Sequence, residues 1–299
     1  MGVKFLGVDG GGSSLRALVI DEHGHHLRYV EGGPANVLVV GAEAARRSWG
    51  DLGVADDRYA AVVAGLAGAD RPWVQQFWQT LLGPLSPLVS IRGDYEIAWA
   101  SLTEGRAGCL AIFGTGSVFY GEHHKRRVRL GGYGWKVGDV GSGIRLGTAA
   151  IRAALANLEG YGPETVLTHS VRDWAQCDTA SGLLDAIYRP ERNWREVSEL
   201  AASVFLAAQQ GDGAAQAIMA KERDEILTCL THCVAKLDLS MDAPVGLTGG
   251  LASLWYPWLQ DVWHATTGRT LSLSRRAPVE GAALLAREAW SQKGRDKNG

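Results

Sequence analysis

Residues 3–20 read VKFLGVDGGGSSLRALVI, two apolar stretches that flank one polar, glycine-rich segment. This pattern predicts a strand over residues 3–8, a turn over residues 9–14 and a second strand over residues 15–20. The turn is longer than most hairpins require. Its glycines leave the backbone N–H groups unobstructed, and two serine hydroxyls stand beside them. The sequence therefore predicts a hairpin whose tip can close on an anion.

A second hairpin of the same form lies near the middle of the chain. Residues 109–113 are apolar, residues 114–117 form the turn GTGS, and residues 118–121 return as a strand. The repeated form predicts a duplicated domain, because the two hairpins share strand, turn and strand although few letters agree. Strands alternate with helical patterns along the first part of the chain, which is typical of an α/β protein.

Length and composition favour two domains and a small-molecule partner. The 299 residues are 46% hydrophobic, and we expect domains over residues 1–107 and 108–299, with a helix at 279–290 packing back on the first domain. The formal net charge of -2 provides no field that would hold nucleic acid or an anionic membrane. The chain has no apolar run of about 20 residues and opens without a secretory leader, so we expect a cytoplasmic protein.

Three glycine-rich loops are candidates for binding phosphate through backbone amides. Taken singly, each is equally compatible with a hairpin that uses glycine for turn geometry alone. Other nucleotide sites are excluded by motif, since the chain has no Gly-Lys dipeptide for a P-loop and no dinucleotide or protein-kinase signature. The candidate residues are Gly11, Gly12, Ser13 and Ser14, then Gly114, Thr115 and Gly116, then Gly249 and Gly250.

Two aspartates follow predicted strands, at the position where open α/β sheets bind ligands. Asp9 ends the first strand, and its carboxylate would hold Mg²⁺ through water beside the phosphates of a nucleotide. Asp94 ends a short strand over residues 89–93 and would accept a proton from an attacking hydroxyl. Each has a structural alternative, because Asp9 could initiate its own turn and Asp94 could cap a helix.

The four cysteines and eight histidines do not predict a metal site. No C-x-x-C pair is present, and Cys229 and Cys233 lack a second pair to complete a zinc set.

An ordered series of short motifs resembles the BadF/BadG-type ATPase family and, within it, the N-acetylglucosamine and glucosamine kinases. The resemblance extends over nearly the whole chain, and the order and the spacing of the motifs both agree. The motifs are GVDGGGS (residues 7–13), GGPAN (32–36), GLAG (65–68), GD (93–94), GTGS (114–117), GGYGW (131–135), GD (138–139), GSG (141–143), GD (211–212) and GGL (249–251).

This resemblance implies two RNase H-like domains of the actin-like ATPase class around a central cleft, with ATP on the second domain and sugar between the two. It implies that Asp94 is the catalytic base for the 6-hydroxyl of the sugar, that Ser13 and Thr115 contact phosphate, and that Gly211 and Gly250 lie near the adenosine. The implied sugar-binding residues are Asn36, Gly132, Tyr133, Gly134 and Asp139. For Asp139 a helix-capping role is the alternative.

We expect an ATP-dependent kinase that converts N-acetylglucosamine to its 6-phosphate, with Mg²⁺ as cofactor. Glucosamine is the alternative substrate, and Val140, where many relatives have glutamate, favours the acetylated sugar. A dehydratase activator would need paired cysteines for an iron–sulfur cluster, and a sugar sensor would bind sugar without consuming ATP. The sequence leaves open whether the chain forms a homodimer.

Overall fold

A computed structural model describes residues 2–134, 136–189, 191 and 193–295, so Trp135 of the GGYGW motif lies outside the described residues. The chain divides into two compact units, each with a five-stranded sheet, which confirms the α/β class. Unit 1 contains the described residues up to Gly108, Gly121–Lys125 and those from Ser274 onward. Unit 2 contains Cys109–Tyr120 and the described part of Arg126–Leu273.

The predicted hairpin starts the unit 1 sheet, whose strand order is β3-β2-β1-β4-β5. β1 pairs antiparallel with β2 and parallel with β4, and β4 pairs parallel with β5, so three strands end at one edge. The elements are β1 (Lys4–Gly10), β2 (Leu15–Asp21), β3 (His26–Gly32), α1 (Val37–Asp51), β4 (Ala61–Leu66), α2 (Pro72–Leu82), β5 (Val89–Gly93) and α3 (Asp94–Thr103).

The unit 2 sheet has the order β10-β9-β6-β7-β8 and again begins with a hairpin followed by parallel strands. Two short 3-10 helices lie at Gly83–Leu85 in unit 1 and at Trp194–Glu199 in unit 2. The elements are β6 (Gly108–Phe113), β7 (Ser117–His123), β8 (Arg126–Gly131), α4 (Gly143–Leu158), α5 (Leu167–Ala175), α6 (Ala180–Tyr188), α7 (Leu200–Gln209), α8 (Gly213–Leu237), β9 (Val245–Thr248), α9 (Ala252–Thr267) and β10 (Leu271–Leu273).

The last helix, α10 (Pro278–Arg295), belongs to unit 1 and packs on β1, β4 and α3. The approach is so close that a Cβ on Gly7 of β1 would lie 2.4 Å from the backbone nitrogen of Ala283. The opposite face of the sheet packs on a core that includes Trp49 of α1 and Trp78 of α2. Unit 1 is therefore a sheet covered by helices on both faces, which fixes the strand ends.

Every helix in the described chain is too short or too polar to cross a bilayer.

Candidate active site

The carboxyl ends of β1, β4 and β5 bring the two candidate aspartates to one edge of the unit 1 sheet. Gly10 lies beside Leu66, and Leu66 lies beside Gly93, in parallel register. Asp9 is the residue before Gly10 in β1, and Asp94 is the residue after Gly93 of β5. The edge formed by three strand ends is where α/β sheets present ligand-binding residues, so the topology meets the expectation from the sequence.

The carboxylate of Asp9 is mostly buried, with 14% of its side chain exposed. Burial raises its pKa to about 6; Arg16, whose guanidinium lies 3.6 Å away, opposes the rise, and the charge of Asp94 adds to it. Arg16 also pairs with Glu31 at 3.0 Å. Within the described residues, the Asp9 side chain accepts no backbone N–H from its own turn, which argues against the turn-initiating alternative.

A hydrated magnesium ion fits this edge of the sheet. The described residues contain no group of three or more His, Cys, Asp or Glu side chains that could hold a metal by themselves. Mg²⁺ needs only one or two carboxylates when waters and phosphates supply its other ligands. Asp9, whose charge is incompletely neutralised by Arg16, is such a carboxylate, and Asp94 adds negative charge to the same edge.

The turn after β1 is held by its own backbone and by the loop that precedes α1. Gly11 donates its N–H to the carbonyl of Ser14 at 3.0 Å, and its carbonyl accepts from the N–H groups of Ala35 and Asn36. Gly12 and Ser13 form the exposed tip of this turn. The side chain of Asn36 caps α1, because its Oδ1 accepts the N–H of Leu38 at 3.0 Å. Asn36 is thereby fixed next to the phosphate-loop candidates.

Asp94 is the first residue of α3 rather than its cap, so the capping alternative was wrong. The N-cap is Gly93, whose N–H donates to the carboxylate of Glu96 at 3.0 Å. The Asp94 carboxylate is exposed, and its Oδ1 accepts the N–H of Tyr95 at 3.0 Å. The helix start is therefore closed by Glu96, and Asp94 presents its carboxylate at the end of β5.

The second hairpin turn is built onto the start of α4. Gly114 donates to the carbonyl of Gly116 at 2.9 Å, and its own carbonyl accepts the N–H of Gly143 at 2.8 Å. The carbonyl of Thr115 accepts the N–H of Ile144 at 3.2 Å. These bonds set the turn beside a helix N-terminus, where backbone dipoles favour an anion.

The third glycine loop lies next to the second, since β9 pairs in parallel with β6. Gly249 has φ of 98° and approaches so closely that a Cβ there would lie 2.3 Å from the carbonyl oxygen of Phe113, the residue before Gly114. Gly250 has open space around it. Gly211 lies at the turn between α7 and α8 with φ of 90°, and Asp212 after it caps α8.

Asp139 organises the loop between β8 and α4, and it does not cap α4. Ser142 is the N-cap and accepts the N–H of Arg145 at 3.2 Å, so the capping alternative was wrong here too. Asp139 is 5% exposed, and its carboxylate accepts the N–H of Gly134 at 3.2 Å. Burial raises its pKa, and nearby N–H groups, including those of Gly134 and Ser117, oppose the rise.

This arrangement joins two sets of candidates within unit 2. A Cβ on Gly116 would lie 2.7 Å from the Oδ2 atom of Asp139, so the second glycine loop and the Asp139 carboxylate are in direct proximity. Gly132 and Gly134 have positive φ angles of 71° and 90°, which shape the loop around that carboxylate. Tyr133 projects from it with 76% of its surface exposed, so its ring is accessible to a ligand.

Sequence reasoning missed the residues that anchor this loop. The N–H of Gly141 donates to Glu222 of α8 at 2.9 Å, and the carbonyl of Gly141 accepts from the indole nitrogen of Trp255 at 2.8 Å. Glu222 also accepts from the Nε of Arg145 at 2.6 Å. The one available signal was an acidic residue placed on the apolar face of α8.

The chain matches the BadF/BadG/BcrA/BcrD ATPase family over residues 6–286. It is 30% identical over 256 residues to an N-acetylmuramic acid/N-acetylglucosamine kinase from Clostridium acetobutylicum, covering 82% of this chain and 84% of that protein. It is 26% identical over 272 residues to a glucosamine kinase from Vibrio cholerae, covering 85% and 87%.

The fold also resembles a solved structure. A candidate N-acetylglucosamine kinase from Chromobacterium violaceum aligns with a TM-score of 0.77 at 23% identity, covering 95% of this chain and 99% of that one. The match extends over both units, which confirms the predicted two-domain fold.

Proposed function

Because the chain belongs to the BadF/BadG/BcrA/BcrD ATPase family, we propose that it is an ATP-dependent kinase acting on the 6-hydroxyl of an amino sugar. The observation that carries this proposal is the edge of the unit 1 sheet, where Asp9 and Asp94 lie with the turn of residues 11–14. Kinase relatives over most of the chain support it. ATP as co-substrate supports a cytoplasmic location, which is part of this proposal.

In this proposal Asp94 is the catalytic base. The 6-oxygen of the sugar forms a bond to the γ-phosphorus of ATP while the bond between that phosphorus and the departing ADP oxygen breaks. The hydroxyl proton passes to the Asp94 carboxylate, which is exposed at the first residue of α3. Little other covalent chemistry is needed, since phosphoryl transfer depends mainly on positioning and charge stabilisation.

Asp9 and the glycine loops hold the nucleotide. Asp9 orients hydrated Mg²⁺, which when bound neutralises charge on the phosphates. Within unit 1, the backbone amides and hydroxyls around Gly12 and Ser13 are proposed phosphate donors. Within unit 2, Thr115 has the same proposed role, with the N-terminus of α4 adding a favourable dipole. The Gly249–Gly250 loop and Gly211 line the nucleoside end.

The proposed sugar-binding residues are Asn36 in unit 1 and, in unit 2, Asp139 with the Gly132–Gly134 loop. The Asp139 carboxylate lies beside Gly116 and is a candidate acceptor for sugar hydroxyls, and the exposed ring of Tyr133 can cover an apolar sugar face. We propose N-acetylglucosamine as substrate because Val140 beside Asp139 is half-buried and apolar, which suits an acetyl methyl better than an ammonium. Glucosamine is the second candidate, since a glucosamine kinase is among the relatives.

One experiment tests both parts of this proposal. ADP release is measured with N-acetylglucosamine, glucosamine, glucose and N-acetylmannosamine, for the wild type and for Asp94→Asn. The variant should bind sugar in calorimetry yet lose about 10²- to 10⁴-fold in kcat. Glu96→Gln is the matched control, because it changes the neighbouring carboxylate that closes the helix and should retain near-normal kcat.

A near-wild-type rate for Asp94→Asn would show that the base has been misassigned. Sugar binding with no ADP release from the wild type would instead indicate a sensor.

A further inference from the structure

A pocket of about 320 Å³ lies within unit 2 between α4, α8 and the loop of residues 136–138. Arg145, Thr148 and Arg152 follow one another along one face of α4, with three- and four-residue spacing. Ile218 and Lys221 lie on the facing side of α8. The volume falls within the range of small-molecule sites. None of the steps proposed above uses this space.

The charged side chains that line the pocket are mostly positive. Four cationic side chains line it: Lys136, Arg145, Arg152 and Lys221. Glu222 is the acidic residue in the lining, and both of its oxygens are occupied, one by the N–H of Gly141 and the other by the Nε of Arg145. In a chain whose net charge is -2, this concentration of positive charge is local and favours an anionic ligand.

Two of these cations are not neutralised by the protein. Arg152 and Lys221 are exposed, and within the described part of the chain neither forms an ion pair. Arg145 pairs with Glu222 through Nε and with Glu225 through Nη2, each at 2.6 Å, which fixes its plane and leaves Nη1 without a partner among the described residues. A guanidinium fixed by two carboxylates beside two exposed cations is a favourable arrangement for a compact dianion.

We propose that this pocket is a second, non-catalytic site that binds a phosphate group, carried by a molecule no larger than a sugar phosphate. A phosphate monoester has nearly two negative charges near neutral pH, which matches Arg152, Lys221 and the free edge of Arg145 better than a single carboxylate does. The hydroxyl of Thr148 adds a donor. Ile144 and Ile218 form an apolar wall against which a carbon skeleton packs.

Phosphate can reach this site from two sources, the phosphorylated amino sugar of the proposed reaction or free phosphate. The first source rests on the proposed function, and the second does not. We therefore test the pocket by binding alone, with no turnover. Inorganic phosphate, N-acetylglucosamine 6-phosphate and N-acetylglucosamine are titrated separately into the full chain by calorimetry, each with and without saturating MgADP.

The deciding variant is Arg152→Ala/Lys221→Ala, in which both side chains are exposed and no described ion pair is lost. It should weaken phosphate-ligand affinity at least about tenfold, while its unfolding midpoint matches that of the wild type. Lys236→Ala is the matched control, since it removes an exposed positive charge from the same helix outside the pocket and should leave affinity unchanged.

Each outcome of these titrations either supports or overturns the proposed phosphate site. Binding of either phosphate ligand that depends on Arg152 and Lys221, and that persists in MgADP, supports the site and identifies its source. Absence of binding for both phosphate ligands overturns the proposal. Displacement by MgADP overturns it as well, because the pocket would then belong to the nucleotide site. An equal loss of phosphate-ligand affinity in Lys236→Ala overturns the proposal as well, because the effect would then come from the overall charge of the protein. None of these results depends on whether the chain transfers phosphate.

Discussion

Replacing Asp9 with asparagine should make the nucleotide-free protein more stable at neutral pH while abolishing its activity. Burial raises the pKa of this carboxyl from 3.8 to about 6, against the opposing charge of Arg16. A shift of about two units corresponds to ~3 kcal/mol of differential interaction between protonation states. The native fold therefore favours the protonated form, and ionised Asp9 destabilises it.

The sign follows from proton linkage. The folded pKa lies above the unfolded value, so the contribution of Asp9 to stability is fully present below pH 3.8 and is lost as pH rises through about 6. Asparagine has no such loss. Because Arg16 gives up one of its two carboxylate partners in the variant, we expect a net gain of about 1 to 3 kcal/mol at neutral pH.

Urea unfolding, without nucleotide or metal, measures this difference at about pH 7.5 and about pH 4.5. The unfolding free energy of Asp9→Asn should exceed that of the wild type at the higher pH, and the difference should narrow to about a third at the lower one. Glu31→Gln is the matched control, since Glu31 faces the same guanidinium but is exposed, and the charge of Arg16 lowers its pKa. It should bring no gain. An Asp9→Asn variant that is less stable at neutral pH, or whose gain does not change with pH, would refute the reasoning.

Two further changes test unit 2. Glu222→Ala removes an acceptor from a partly buried guanidinium and from a buried backbone N–H, and should cost about 2 to 4 kcal/mol in urea unfolding. Glu225→Ala removes the more exposed partner of the same guanidinium and should cost under about 1 kcal/mol. Gly116→Ala places a methyl 2.7 Å from the Asp139 carboxylate and should raise the KM for sugar in initial-rate assays. Gly114→Ala is the control, because its methyl meets nothing nearer than 4.0 Å, and it should leave that KM unchanged. Equal effects within either pair would contradict the assigned contacts.

The sequence predicted those elements whose signals are local. Helix α2 (Pro72–Leu82) begins at a proline, and proline at the first helical position is a local signal for a helix start. The strand Val89–Gly93 was also predicted with its observed bounds. The glycine turn between two apolar runs predicted the opening hairpin, because strand and turn preferences are set by neighbouring residues.

Elements whose signals conflict were missed. Helix α9 contains Pro257, which normally argues against a helix interior, yet the proline lies in the second turn, and the buried side chains Trp255, Leu259 and Trp263 tie the helix to the core. Strand β3 is an edge strand with mostly exposed residues, so it lacks the alternation that identifies strands. Contacts with distant parts of the chain stabilise both elements, and a local sequence pattern carries no information about those contacts.

The candidate site likewise has residues that local sequence signals predict and residues that they do not. Asp9 and Asp94 could be placed together because parallel strands joined by helices bring their carboxyl ends to one edge, and this rule needs no knowledge of side-chain partners. The partner of Gly141 could not be predicted, because Glu222 lies 81 positions away and its spacing on α8 is that of a core residue. A buried carboxylate is tolerated only when it is paired, so an acidic residue on an apolar helix face predicts that a donor exists without identifying it. Strand topology therefore places the two candidate aspartates, whereas the contacts that hold the loop between β8 and α4 depend on pairs that only the folded chain brings together.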